Sequence, residues 1–196
     1  MTSSDEAADT GAKTMFTWRS VDGGRFEQVR LNTAGGRLRA YGRIISAETT
    51  EVQAYSSSYE LVANDIGITR RLSFRLLKTG GEAPLDVSRD MDGRWMVQTP
   101  YSTIQSDFDG AEGVDVAMSP FLSALPIFRH TFFGKGALTD VPLVSLRLPT
   151  YEIEPEVRSY TIGDGTATVT TATGTVELSI DEHGLVLDYP GVATRI

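Results

Sequence analysis

Alternation of apolar and polar positions is the dominant pattern along this chain. Between Ile66 and Leu76, Ile66, Ile68, Leu72, Phe74 and Leu76 fall on one side, while Gly67, Thr69, Arg71, Ser73 and Arg75 fall on the other. A period of two predicts a strand with one buried face. Tyr59, Leu61 and Ala63 make a similar face just upstream, and Asn64-Asp65 can turn the chain between the two. The same reading predicts strands near 25–31, 37–46, 84–89, 94–98 and 113–118, and again near 140–149, 156–162, 166–172, 175–180 and 185–189. Turn chemistry separates them at Asp22-Gly23-Gly24, Gly35-Gly36, Asp90-Met91-Asp92-Gly93, Gly163-Asp164-Gly165 and Asp181-Glu182-His183-Gly184, where Asn, Asp and Gly tolerate left-handed backbone. Many short strands at this spacing predict an all-β, mainly antiparallel domain, built as a curved sheet or a partly closed, barrel-like structure. A faint echo relates the Asp90–Gly93 hairpin to the Asp181–Gly184 hairpin, and generic turn chemistry explains it more simply than a duplication.

One segment breaks the period. Ser119-Pro120 starts a helix, because a Ser hydroxyl can cap free amides and Pro lacks the amide that a first turn leaves unpaired. Pro126 is expected to stop that helix, leaving one short helix over 119–125 in front of Arg129-His130. The first fourteen residues are polar and acidic, without the basic and apolar regions of a secretory signal. They are read as a disordered leader before one β domain over 15–196, and the chain is placed in the cytoplasm.

The chain has 196 residues and a net charge of -8, which argues against nucleic acid and anionic membranes as partners. No apolar run reaches the ~18 residues of a membrane span. With no cysteine, disulfides and thiolate metal sites are excluded. The two histidines, His130 and His183, are too few and too scattered to indicate a metal centre, and no cofactor motif is present.

Arg70 is the residue most worth following. Its phase places it with Ile68 and Leu72, on the apolar face, where a guanidinium must be paired. It could pair with Asp115, Asp181 or Asp188, or anchor an anion inside a cavity; a one-residue bulge would instead turn it outward. Arg129 ends the Leu-Pro-Ile-Phe run, and Arg43, Arg147, Arg158 and Arg195 could add to a cationic pocket if they converge. Phe121 and Phe128 are candidates for the wall of an apolar cavity, with Tyr189 at its mouth. The candidate ligand-binding set is therefore Arg70, Arg129, Asp115, Phe121, Phe128 and Tyr189, with no catalytic residue and no metal ligand named.

The stretch from Gly113 to His130 also resembles the putative glycolipid-binding proteins of bacteria. That family shows Gly-Cys-x-Asp-Val-Asp followed by Thr-Pro-Phe-Thr-Asn-x-Leu-Pro-Ile-Arg-Arg. Here Gly113, Asp115, Val116, Pro120, Phe121, Leu125, Pro126, Ile127 and Arg129 match, while Val114, Ala117, Leu122-Ser123 and Phe128 depart. Tyr59 to Asp65 with Thr69-Arg70-Arg71, and Asp181 to Gly191 closing on Arg195, extend the resemblance over roughly residues 15 to 196. It implies a lipid-carrier-like architecture and a lipid or glycolipid ligand. Two readings stand beside that one: an interaction or regulatory protein with no small-molecule ligand, and a hydrolase using Asp115, Asp188 and Arg70. The balance leans away from an enzyme, and oligomeric state is not indicated.

Overall fold

A computed structural model describes residues 13–34 and 37–196. Among the described residues fifteen strands form one sheet, mostly antiparallel and open, in the order β8-β7-β6-β5-β4-β3-β2-β1-β15-β14-β13-β12-β11-β10-β9. The first half is a meander through β1 (Lys13–Ser20), β2 (Arg25–Asn32), β3 (Arg39–Ser46), β4 (Tyr55–Ala63), β5 (Thr69–Lys78), β6 (Gly81–Arg89), β7 (Trp95–Gln98) and β8 (Thr103–Ser106). The second half holds β9 (Gly113–Val116), β10 (Val141–Arg147), β11 (Glu152–Ile162), β12 (Thr166–Thr171), β13 (Gly174–Ile180), β14 (Val186–Tyr189) and β15 (Ala193–Arg195). The halves join where β1 pairs with β15.

This order carries a geometric demand. β8 and β9 are the two outer edges of the sheet, yet only residues 107–112 link them. Laid flat, fifteen strands at about 4.8 Å each would be roughly 67 Å wide. A link of this length spans at most about 25 Å, so the sheet must curl until its edges approach. The link is anchored to the inside of the curl by Phe108 and Ala111, both buried, while Asp107, Asp109 and Gly110 face solvent. Its Ala111 carbonyl accepts from Trp95 Nε1 at 2.9 Å and Arg89 Nε at 3.0 Å, and its Glu112 carbonyl accepts from the Thr69 amide at 3.0 Å.

β9 and β10 are the parallel pair, and a parallel pair needs a crossover. The crossover carries the helices, α1 (Pro120–Ser123) and α2 (Leu125–Phe133), which fill the concave side of the sheet. Pro126 does not end the helix as expected. It sits in the first turn of α2, where its missing amide has no intrahelical partner to lose, and α2 continues to a left-handed Gly134. Other expectations shift by small amounts. β1 begins at Lys13, inside the segment read as leader, while residues 1–12 and the Gly35-Gly36 turn lie outside the described residues. β1, β8 and β15 were not predicted.

Strand faces follow the pleat. Val29, Ala40, Ile44, Leu61, Leu72, Phe74, Leu85 and Val97 point inward and are buried with Trp18, Trp95, Phe121 and Phe128 in the main core. A second cluster around Ile127, Tyr160, Val169, Leu178 and Val186 lies under the other half. Gly42 makes one inward contact possible. A Cβ there would stand 2.0 Å from the Tyr59 ring, so the glycine lets Tyr59 lie across β3 toward β2. Among the described residues no helix is long and apolar enough to cross a membrane.

Gly42→Ala is expected to destabilise the protein by about 1–3 kcal/mol through overpacking. In a Tyr59→Ala background the same change should cost far less, which a double-mutant cycle by urea denaturation will read. Equal costs in both backgrounds would refute the assignment.

Candidate functional site

Glu27 on β2 is in phase with Val29 and Leu31 and is buried. An isolated carboxylate there would be very costly, and the fold answers with donors. Tyr59 and Ser119 each donate a hydroxyl to Oε1 at 2.7 Å, and the Phe121 amide approaches Oε2 at 3.4 Å. Ser119 also caps α1, its oxygen accepting from the Leu122 amide at 3.1 Å. One hydroxyl thus ties the start of the crossover helices to the sheet. Burial raises the Glu27 pKa above its ordinary 4.5, with Ser119, Tyr59, the Arg25 charge and the Phe121 amide opposing. Burial, reinforced by Glu27, pushes the Tyr59 hydroxyl well up.

Beside this network a cleft of about 590 Å³ opens between the β1–β2 turn, the segment after β3, Met118 and the turn before β15. Val21, Val52, Tyr55, Met118, Leu148 and Val192 give it apolar walls, and Glu48, Glu51 and Arg147 stand in its lining. Arg25 lies at the inner end, where a small void shared with Trp18 and Glu27 continues the cleft inward. Nε and Nη2 of Arg25 and the hydroxyl of Tyr55 are buried without a hydrogen-bond partner among the described residues. The Arg25 guanidinium sits 5.9 Å from the Tyr55 ring centre, and burial raises the Tyr55 pKa against the Arg25 charge. Buried donors of this kind are rarely left unmade. Met118 lines both spaces and holds a left-handed φ of 65°, an uncommon state for a side-chain-bearing residue.

The residues singled out from sequence are distributed more widely. Arg70 is not on the inner face. The β4–β5 register shifts at Val62/Ala63, so Val62 faces Arg71 and Ala63 faces Thr69. This bulge turns Arg70 outward, where Nη1 donates to the Asp90 carbonyl at 3.0 Å. Arg129 holds three segments together, with Nε donating to the Ile66 carbonyl at 2.9 Å and Nη1 to Glu112 at 2.6 Å. Gly67 must be glycine beneath it, since a Cβ would lie 2.7 Å from Arg129 Cγ on a backbone at φ +77°. Phe121 and Phe128, expected as cavity walls, are instead packed in the core at 0% and 1% exposure, because α1 and α2 turn them into the sheet.

Asp115 and Tyr189 do come together, around Arg158. Arg158 grips Asp115 bidentately at 2.9 and 2.6 Å and also holds Glu156. Burial works against the Arg158 charge, but Asp115 and Glu156 outweigh it and keep the guanidinium protonated. Tyr160 and Tyr189 border the group, and burial raises both hydroxyls. The other two acids singled out from sequence, Asp181 and Asp188, are engaged structurally. Asp181 binds Arg195 at 2.6 Å and caps its own turn, and Asp188 accepts from Thr194. The candidate arginines therefore do not converge: Arg147 pairs with Glu152, Arg158 with Asp115, and Arg43 lies on the outer face. Among the described residues no group of His, Cys, Asp and Glu is placed to hold a metal ion.

Glu27 and Arg25 were missed although their signal was available. Both alternate in phase with Val29 and Leu31 in β2, the same reasoning that drew attention to Arg70.

Residues 15–195 match a protein family described as putative glycolipid-binding. The fold is similar to the crystal structure of a DUF1089 family protein from Pseudomonas aeruginosa, with a TM-score of 0.72 and 23% identity, over 88% of this chain and 92% of that one. No curated protein sequence matches this chain.

The raised Glu27 pKa has a signed consequence. Its contribution to stability is fully present below the ordinary value of 4.5 and is lost as pH rises through the higher folded-state value. Glu27→Gln removes that dependence. Urea unfolding from about pH 4 to about pH 8 should show the variant gaining on the wild type as pH rises, and parallel curves would refute this account.

Proposed function

The chain belongs to the family of putative glycolipid-binding proteins, and on that premise we propose that it binds a lipid or glycolipid in the cleft beside Met118, without catalysing a reaction. The observation that carries this reading is the pair of buried Arg25 nitrogens, Nε and Nη2, without a hydrogen-bond partner among the described residues, at the inner end of an apolar-walled cleft. Apolar walls with a few convergent polar groups are the usual build of a small-molecule site, and the volume falls in the usual range of about 300–1,000 Å³. Val52, Met118, Leu148 and Val192 suit an alkyl chain. Arg25 Nε and Nη2 and the Tyr55 hydroxyl suit a phosphate, carboxylate or sugar hydroxyl. Met118, flexible and at the junction of cleft and void, would control how far the ligand enters.

The interior of the sheet is filled by large side chains such as Trp18, Phe74, Phe121 and Phe128. That packing supports a second reading, an interaction protein that takes no ligand.

Native mass spectrometry after incubation with a bacterial lipid extract separates the two. A lipid adduct is expected on the wild type, and Arg25→Met should lose most of it while keeping the wild-type circular dichroism. Among the described residues Arg25 Nε and Nη2 have no hydrogen bond to forfeit. A wild-type mass with no adduct at any lipid concentration would favour the interaction reading.

A further inference from the structure

The face of β2–β5 turned away from the core carries a second concavity, a groove of about 610 Å³. It shares no lining residue with the cleft beside Met118. Ser58 on β4 and Ser73 on β5 keep its floor low. Its walls are basic, with Arg30 from β2, Arg43 from β3, and Arg71 and Arg75 from β5.

Register places these arginines as a set. Arg43 and Arg75 flank Ser58 in one cross-strand row, because Arg43 pairs with Ser58 and Ser58 with Arg75. Their backbones are two strand spacings apart, about 9.6 Å. Arg30 is paired with Tyr41, in the next row on β2 and β3, and its guanidinium lies 4.9 Å from the Tyr41 ring centre. Among the described residues none of the four forms an ion pair. The arginine ion pairs belong to Arg39, Arg129, Arg147, Arg158 and Arg195. Of the two acids in the groove, Glu60 is engaged by Arg39 at 3.6 Å, and Asp86 stands alone against four cations.

This gathering occurs in a protein of net charge -8. The acids are concentrated elsewhere: residues 140–190 contain nine Asp and Glu against two arginines. Like charges close together on one sheet face repel, so the arrangement costs stability unless an anion occupies it. Guanidinium forks match the oxygens of a phosphoryl group, and several can share one. The volume is that of a small-molecule site, too small for the long backbone track of a nucleic acid.

We propose that this groove is a binding site for a phosphoryl group, carried by a free phosphorylated small molecule or by a lipid head group. Arg43 and Arg75 grip it from opposite sides, and Arg30 and Tyr41 contact what it is attached to. The proposal is independent of the cleft reading, and either can fail without the other.

The test is calorimetric titration of the full chain with inorganic pyrophosphate, beside flotation with phosphatidylglycerol-containing vesicles and with phosphatidylcholine vesicles alone. The same titration is repeated with a single-stranded DNA oligonucleotide, all at matched ionic strength. Arg43→Gln/Arg75→Gln is the informative variant, because both side chains are exposed and relief of repulsion should leave its melting temperature equal or higher. Pyrophosphate binding weakened at least about tenfold in the variant, and kept in Arg25→Met, supports the site with a free phosphorylated ligand. Binding only to the phosphatidylglycerol vesicles, lost in the double variant, supports it with a lipid head group. Binding to DNA alone, no binding to any probe, or binding that the double variant leaves unchanged overturns the proposal.

Discussion

Six residues between the outermost strands decide the shape of this molecule. The segment 107–112 joins β8 to β9, the two edges of a fifteen-stranded sheet, and no extended chain of that length can bridge a flat one. The sheet is therefore curled, and the curl makes an inside. The link is tied to the inside by Trp95, Arg89 and Thr69, which donate to its Ala111 and Glu112 carbonyls. The inside is filled by the crossover that the parallel β9–β10 pair requires. Core, helices and cleft all follow from edges that must meet without hydrogen bonding to each other.

Within that frame, buried polar groups fix how the helices sit. Ser119 serves Glu27 with its proton and the α1 amide with its oxygen, while Tyr59 reaches the same carboxylate over Gly42. Three strands and one helix start thus depend on one carboxyl group. On the other side of the crossover, Arg158 does the corresponding service for Asp115 at the end of β9. Pairs and networks of this kind contribute less to net stability than to a unique arrangement, since each polar atom is satisfied in one geometry only. Arg25 and Tyr55 depart from this, with Arg25 Nε and Nη2 and the Tyr55 hydroxyl buried and without a partner among the described residues.

What the sequence made legible was the local pattern, and what it hid was the pairing. The alternation from Leu72 to Leu76 was readable because a half-buried strand must show it. The turns at Asp90 and Asp181 were readable because Asp accepts from its own backbone there, as both do. β1 was lost because Lys13, Thr14 and Met15 are exposed at the start of the strand and continue an acidic, polar leader. β8 and β15 are too short to show a period. Pro126 misled because a proline that ends one helix and one that begins the next look alike in sequence. Arg70 misled because a bulge between Val62 and Ala63 is written in the partner strand as much as in its own. The arginine groove was invisible for a similar reason: Arg30, Arg43 and Arg75 lie on three different strands, and only register brings them together.

The junction of β1 with β15 sets the order in which this chain can be completed. Trp18 donates its indole N–H to the carbonyl of Val186, 168 residues away, and Ser20 faces Ala193 across the centre of the sheet. Contacts so distant along the chain are slow to form, and during synthesis the amino-terminal partner emerges long before the other exists. Until then β1 has β2 on one side and an open row of amides and carbonyls on the other. The seam in the middle of the sheet, rather than either outer edge, is the place where a ribosome-bound or newly released chain is most exposed to the wrong partner.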